Sequence, residues 1–275
     1  MFAILSEILK KNHIDSFAPL PLRDCKVIKP YLLEREGIAD GTVFIMTVPY
    51  YTHVCDAPDR NLSAYAVSRD YHLFFQMLYA TVLPQMRALF PNTKFVAFTD
   101  HSPIDEIHAA AGAGLGVIGE NGLILTPRYG TYVFLGEIVT DAIIPCEIGE
   151  IKTCEGCMAC KRACPANIVK SDCLSALTQK KGTLTLEEQE KILRLGSVWG
   201  CDVCQAVCPH NKRALREGTI YTPIPFFAEQ TIPHLNSEVL NAMSETEFTS
   251  RAYSWRGKQT IARNLDLMEK GEPTC

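Results

Sequence analysis

A chain of 275 residues, 47% of them hydrophobic, is long enough for one large domain or two modest ones and too apolar to remain disordered. Its formal net charge of −4 gives no global attraction for nucleic acid. No uninterrupted apolar run reaches the ~18 residues of a membrane span, and the opening MFAILSEILKKNHIDS lacks the basic region, long apolar run and cleavage site of a signal peptide. That opening reads as a short helix. TVFIMTVPYY (42–51) is rich in β-formers and predicts a buried strand. Residues 63–90 predict a helix that Pro84 breaks or kinks. KFVAFTD (94–100) predicts a second strand, and PIDEIHAAAGAGLG (103–116) a helix ending in glycines. GLILT (122–126) and TYVFLGEIV (131–139) predict two more strands around a turn at 127–130. Strands interleaved with helices define an α/β class. Further on, Thr185 with Glu188 and Ser244 with Glu247 have the spacing of capping boxes that open helices.

Cysteine usage changes abruptly at 154. Of twelve cysteines, eight fall between 154 and 208. Without an export signal, clustered thiols point to metal rather than disulfides. Cys25, Cys55, Cys146 and Cys275 lie outside the cluster and read as buried or incidental thiols. Cys154, Cys157, Cys160 and Cys164, followed by Pro165, form the C-x2-C-x2-C-x3-C-P run of bacterial ferredoxins. In that run three thiolates hold one cubane and the fourth reaches another. A second run ends in Cys201, Cys204 and Cys208 before Pro209, with Val198 where its first cysteine would stand. Cys173, between the runs, supplies the missing ligand. One [4Fe–4S] cluster therefore takes Cys154, Cys157, Cys160 and Cys208, and the other takes Cys164, Cys173, Cys201 and Cys204. Zinc would need neither the C-P endings nor the interlaced spacing. Two clusters in one small fold read as an electron relay.

The upstream domain should hold what the relay feeds. AGAGLGVIGENG (111–122) fails as a dinucleotide fingerprint, because it follows a helix and lacks the acidic partner. Its glycines still allow a flat cofactor to approach the backbone. No D-x-H-x-x-G run is present, so any corrinoid here would lack a histidine lower ligand.

RDYH (69–72), TDHSP (99–103), AGLGVIGENGLILTPRYGTYVFLGEIVTD (113–141), the first cysteine run, CLSALT (173–178) and GCDVCQAVCPHN (200–211) together resemble the epoxyqueuosine reductase family. That family is cobalamin-dependent and related to reductive dehalogenases. The resemblance covers roughly residues 40 to 265, in order. It implies a cobalamin-binding α/β (α+β) domain over 1–150, a ferredoxin-like double-cluster domain over 151–220, and a C-terminal helical segment over 221–275 packing back on the core. It also implies a cytoplasmic oxidoreductase that reduces epoxyqueuosine in tRNA through cob(I)alamin, fed by a low-potential donor such as flavodoxin or ferredoxin.

By the same resemblance Asp100 is the proton donor, expected in a desolvated site that keeps it protonated. Tyr71 lies beside it in the pocket. Arg69, Asn121, Ile124, Leu135, Ser175, Cys201 and Asp202 contact the corrin, Ile124 and Leu135 through backbone, and Lys181 lies near an RNA contact. Plainer readings stand beside these. Asp100 would cap the following helix, Arg69 would be a solvated helix residue, Ile124 and Leu135 would be core, and Lys180 and Lys181 would be surface charge. Local basic residues, Lys212, Arg213, Arg216, Arg251, Arg256, Lys258 and Arg263 with the two lysines, would supply a phosphate-binding face. The chain departs from the family at Glu120, where lysine is common, and it ends soon after WRGKQTIARNL (255–265), where longer members continue into helical repeats. The rival functions are a corrinoid reductase of the same fold acting on a small molecule, and a ferredoxin-like electron carrier without corrinoid.

Overall fold

In the computed structural model, which describes residues 1–166 and 172–271, the apolar run at 42–49 is a strand with every residue buried. Cys275 lies outside the described residues. The chain divides into two units, Met1–Pro49 with His72–Cys157, and Tyr50–Tyr71 with Met158–Cys275. The segment 50–71, the cysteine region from Met158 and the C-terminal helices fall in one unit.

In the first unit, helix α1 (Phe2–Lys11) precedes strand β1 (Ser16–Pro21), and α2 (Pro30–Glu36) ends at Gly37 with φ 64°. Strand β2 (Thr42–Pro49) follows, then α3 (Tyr71–Leu89), β3 (Phe95–Phe98) and α4 (Glu106–Gly112). Short strands β4 (Val117–Ile118) and β5 (Ile124–Leu125) lead to β6 (Val133–Thr140). The main sheet has the order β1-β2-β6-β3, and all its pairs are antiparallel. The architecture is therefore the α+β form of the expected class. The predicted strand at 122–126 shrinks to two residues, paired with β4 in a separate ribbon. Pro84 stays inside α3 and does not end it; a proline there removes one helical donor, which a long packed helix tolerates.

Both faces of the central strands are covered. Val43, Ile45 and Val139 pack with Leu33, Ile104 and Ala109 to Ala111 from α2 and α4. On β6, Gly136 lets α3 come close: a Cβ there would overlap Phe75 Cε1 and stand 2.6 Å from Tyr79 Oη.

The second unit is helical: α5 (Ala159–Ala163), α6 (Leu174–Thr178), α7 (Leu186–Leu195), α8 (Val203–Ala206), α9 (Pro209–Arg216), α10 (Pro225–Ala228), α11 (Ser237–Ala242), α12 (Glu245–Thr249) and α13 (Lys258–Lys270). The predicted capping box opens α7, with Thr185 and Glu188 bonding each other's backbone. Ser244 caps α12 by accepting from the Glu247 amide. Asn264 on α13, fully buried, donates to the carbonyls of Thr178 (2.7 Å) and Val198 (2.9 Å). That one amide ties α13 to α6 and to the segment entering the second cysteine run.

Gly136→Ala should lower stability by about 1–3 kcal/mol, because buried Phe75 has nowhere to move. A urea or thermal midpoint unchanged from wild type would show that α3 does not press on β6 as described.

Candidate functional site

The cysteines reach their positions through short helices and turns. In the first unit Thr153 bridges to Ile118, with Ile118 N–H donating to the Lys152 carbonyl and Cys154 N–H to the Ile118 carbonyl, both at 2.9 Å. The chain entering the first run is thus stitched to the β4–β5 ribbon. Gly156 (φ 66°) and Met158 (φ 59°) turn the backbone left-handed between the ligands. In the second unit Cys160 lies on α5 and Cys164 closes it. Cys173 stands at the N-cap of α6, Cys204 lies on α8, and Cys208 is the N-cap of α9 with Pro209 at its first position. Helix α5 packs against α8.

The eleven described cysteines are all free thiols. Burial pushes the Cys201 thiol up to about 12, with Asp202, Cys204 and Cys173 adding to the effect. Cys173 and Cys204 both stand within electrostatic reach of Cys201. An isolated thiolate is unfavourable there, and bound iron would hold it deprotonated. Val198, at the position of the absent cysteine, is fully buried. Among the described residues no three Cys, His, Asp or Glu side chains converge on a point as around a single ion.

Asp202 has a structural part that its sequence position did not show. Its carboxylate accepts from Arg60 Nη1 (2.7 Å), Ser63 Oγ (2.6 Å), the Ala64 amide (2.7 Å) and Gln205 Nε2 (3.2 Å). These donors belong to the protein, so the side chain anchors the second run to residues 60–64. Arg69 is likewise engaged, 3.3 Å from Glu229 and 4.1 Å over the Phe226 ring, although its buried Nε has no acceptor. Tyr71 opens α3 and is half-buried. Ser175 accepts from Gln179 at 3.3 Å.

In the first unit Asp100 follows β3 in a left-handed conformation, φ 61°. Its Oδ2 is 3.4 Å from His72 Nε2, and its side chain is 58% exposed. The desolvated setting expected for it is not present. Nor does it cap the next helix: Asp105 does, accepting from the His108 amide at 3.2 Å. Asn121 accepts from the Leu123 amide and shapes the turn before β5. Ile124 and Leu135 direct their side chains into the core cluster, which leaves their backbone as the part open to a ligand. Two carboxyl groups that the sequence did not single out, half-buried Glu106 on α4 and fully buried Glu137 on β6, are raised by burial, Glu106 to about 7.

The basic residues divide sharply. Lys180 is held by Glu188 at 2.6 Å, and Arg263 donates to the carbonyls of Lys180 and Gly182. Arg251 is buried against the Gln230 carbonyl and Glu247. Arg213 contacts His210 at 3.4 Å. Exposed Lys181 lines a cavity of about 610 Å³ with Arg256, Lys258 and Arg263. Beside it the Arg256 guanidinium lies 3.7 Å over the ring of Trp255, which is 57% exposed.

The cysteine pattern and the fold define an iron–sulfur protein, and residues 153–211 match the 4Fe-4S double cluster binding domain. An epoxyqueuosine reductase of Lactococcus garvieae is 32% identical over 209 residues, covering 71% of this chain and 57% of that protein. The fold matches that of epoxyqueuosine reductase from Streptococcus thermophilus with a TM-score of 0.79 and 23% identity, over 98% of this chain and 81% of that one. It also matches an epoxyqueuosine reductase crystallised with an epoxyqueuosine-modified tRNA-Tyr stem loop, with a TM-score of 0.77 and 25% identity, over 97% and 80% of the two chains. The chain is a relative of the epoxyqueuosine reductases, and it spans little more than half the length of the curated relatives it matches. Among the described residues no helix is long and apolar enough to cross a membrane.

Two variants test the assignment. Reconstituted wild type should hold about eight irons, and Cys173→Ala about four, while Cys146→Ala stays at the wild-type value. Full iron content in Cys173→Ala would overturn the bridging role. Asp202→Ala should cost about 3–5 kcal/mol by stranding Arg60 in a site where its side chain is 19% exposed, read as a fall in the denaturant midpoint of the apoprotein.

Proposed function

We propose that the chain reduces epoxyqueuosine in tRNA, using cobalamin and two [4Fe–4S] clusters, with Asp100 as the proton donor. The observation that carries this reading is the Asp100 turn: an exposed carboxyl on a left-handed residue, beside His72, in a fold shared with a reductase solved on its modified stem loop. Opening the epoxide to an alkene takes two electrons and two protons and releases water. Cobalamin, when bound, supplies a strongly nucleophilic reduced cobalt, loaded by single electrons from the clusters. The chain's own residues hold and aim. The Cys thiolates keep the clusters in place. Asp100 gives a proton to the departing oxygen, and His72 Nε2, at 3.4 Å, is placed to return one.

Supporting cobalamin is the glycine-rich backbone around β4 and β5, where a side chain at Gly116 would strike the Leu125 carbonyl. A base-off cofactor contacted by Arg69, Asn121, Ser175, Cys201 and the backbone of Ile124 and Leu135 remains the proposal, with Tyr71 beside the acid. Asp202 approaches the corrin with Cys201 in the same proposal, and its carboxylate, bonded to Arg60 and Ser63, holds that segment in place. Supporting RNA are the cavity lined by Lys181, Arg256 and Lys258 and the exposed Trp255 next to it, since a basic groove with an aromatic platform suits an unpaired nucleotide. The reaction would take place in the cytoplasm, with a low-potential flavodoxin or ferredoxin as donor.

Asp100→Asn should keep iron and cobalamin content while turnover on epoxyqueuosine-containing tRNA falls by about 10²–10⁴-fold. Near-normal turnover would remove the acid role. Affinity for tRNA should fall steeply with salt, and Lys181→Glu with Lys258→Glu should weaken it further without iron loss. No tRNA binding at low salt would instead favour a small-molecule substrate for the same cofactors.

A further inference from the structure

Asp100 stands at the centre of a γ-turn: the His101 amide donates to the Thr99 carbonyl at 2.6 Å, and Asp100 between them has φ 61°. That hand of the turn is rare and strained for a residue with a side chain, and it persists only where its surroundings impose it. The incoming end is held by Tyr79 of α3, whose hydroxyl donates to the Phe98 carbonyl at 2.7 Å and lies 3.1 Å from Thr99 Oγ1. The outgoing end is held by the segment before α2. The Pro103 carbonyl accepts from the Ile28 and Lys29 amides at 2.8 and 3.0 Å, the Asp105 amide donates to the Lys26 carbonyl at 2.9 Å, and Lys26 Nζ is 3.0 Å from Asp105 Oδ2. Between these two ends stands His101, and both of its ring nitrogens are taken by side chains from the start of α2. Lys29 Nζ is 3.3 Å from Nδ1, and Tyr31 Oη is 2.9 Å from Nε2.

These contacts fix the state of the ring. An ammonium has donors and no acceptor, so Nδ1 accepts from Lys29 and carries no proton. The proton of the neutral ring therefore lies on Nε2 and is donated to the Tyr31 oxygen, which leaves the phenol hydrogen for water. The mount is firm, because Leu32 and Leu33 of α2 are buried in the same core cluster as Ile104. We propose that His101 is a positioning residue for Asp100, and that Lys29 and Tyr31 clamp it as its Nε2–H tautomer so that the γ-turn presents the Asp100 carboxyl in one place. His101 adjoins Asp100 in the chain, so a rearrangement that moves the acid drags the ring with it and strains both contacts. Lys29 and Tyr31 precede the stretch, roughly residues 40 to 265, that resembles the reductase family. The clamp is thus built by a part of the chain outside that resemblance.

The inference rests on the reading of Asp100 as the acid, but its first test does not use turnover. The amide at position 101 closes the turn on the Thr99 carbonyl. Its hydrogen exchange, corrected for the intrinsic rate, should quicken by about 2–10-fold in Lys29→Met and in Tyr31→Phe, the worth of one hydrogen bond each. His101→Ala should quicken it by about the product of the two. Adding either substitution to His101→Ala should change nothing further, because both act through the ring. Lys29→Arg, which keeps a cationic donor, should restore slow exchange. A merely structural role for α2 would instead give losses that still add in the His101→Ala background. Such additive losses, or unaltered exchange in His101→Ala, would overturn the proposal. By 15N NMR the neutral ring should carry its proton on Nε2, and a proton on Nδ1 would overturn the clamp as well. On epoxyqueuosine-containing tRNA, Tyr31→Phe should lower kcat and leave KM near the wild-type value. If Asp100→Asn abolishes turnover while Tyr31→Phe leaves kcat unchanged, the clamp does not position the acid and the proposal falls. If Asp100→Asn still turns over while the coupling through His101 holds, the acid role fails and the clamp survives.

Discussion

The second unit is organised around the carboxylate of Asp202. It sits between two cluster cysteines, Cys201 and Cys204, and is bound by Arg60, Ser63 and Ala64, some 140 residues earlier in the chain. The surrounding backbone follows that anchor. Val198 N–H donates to the Asn61 carbonyl and Ser63 N–H to the Trp199 carbonyl, both at 2.8 Å, so 61–63 runs beside 198–199. From other sides Thr178 Oγ1 receives the Gly200 amide and Asn264 grips the Val198 carbonyl. A cluster that exchanges single electrons works best among dipoles that do not reorganise with each transfer. A ligand run fixed by a buried ion pair and three elements of backbone meets that condition.

The two units handle buried acid in opposite ways. Asp202 is surrounded by donors, a guanidinium among them. Glu106 Oε1 and both Glu137 carboxyl oxygens are buried without a hydrogen-bond partner, and burial raises both acids. Burying an unpaired charge is costly, so the protein either pairs the charge or removes it. Asp100 follows neither course. Its side chain is 58% exposed, 3.4 Å from the His72 imidazole, on a backbone held at φ 61°. In the proposed role, an acid that must meet an incoming substrate has to be exposed before binding.

Much of this was legible in the sequence, for identifiable reasons. The double-cluster character of 153–211 follows from cysteine spacing, because cubane geometry restricts how thiolates can be strung along a chain. The main strands at 42–49 and 133–140 were visible from β-branched and aromatic runs. The strand Ser16–Pro21 was not, since two prolines in SFAPLP hide it and it lies at the edge of the sheet. Helix α4 starts three residues later than its pattern suggested, because Asp105 caps it and the preceding turn goes to Asp100. The part played by Asp202 was hidden because its partners lie far off in sequence. Glu106 and Glu137 were hidden because each looks like an ordinary charged position, and only the fold buries their carboxyl oxygens. A signal did exist for Glu137, a lone carboxylate inside the otherwise apolar and small run VFLGEIV, which alternation alone would have placed on a buried face.

The sequence also overstated the basic surface. Several of the cations that crowd the cysteine region and C-terminus hold the fold together: Arg263 grips two loop carbonyls, Arg251 is buried, and Lys180 is neutralised by Glu188. What remains near the cavity is a small group, Lys181, Arg256 and Lys258. Each phosphate neutralised contributes a slope of about 0.7–0.9 in log affinity against log salt, so three cations support a slope of only about 2–3. Under the proposed function, three such cations on a chain of net charge −4 would not hold RNA tightly by charge alone. Base stacking on an exposed aromatic such as Trp255 would add about 1–3 kcal/mol without salt dependence. Recognition of the modified nucleotide in the reacting site would then have to supply the rest, and selectivity would depend on that unpaired base.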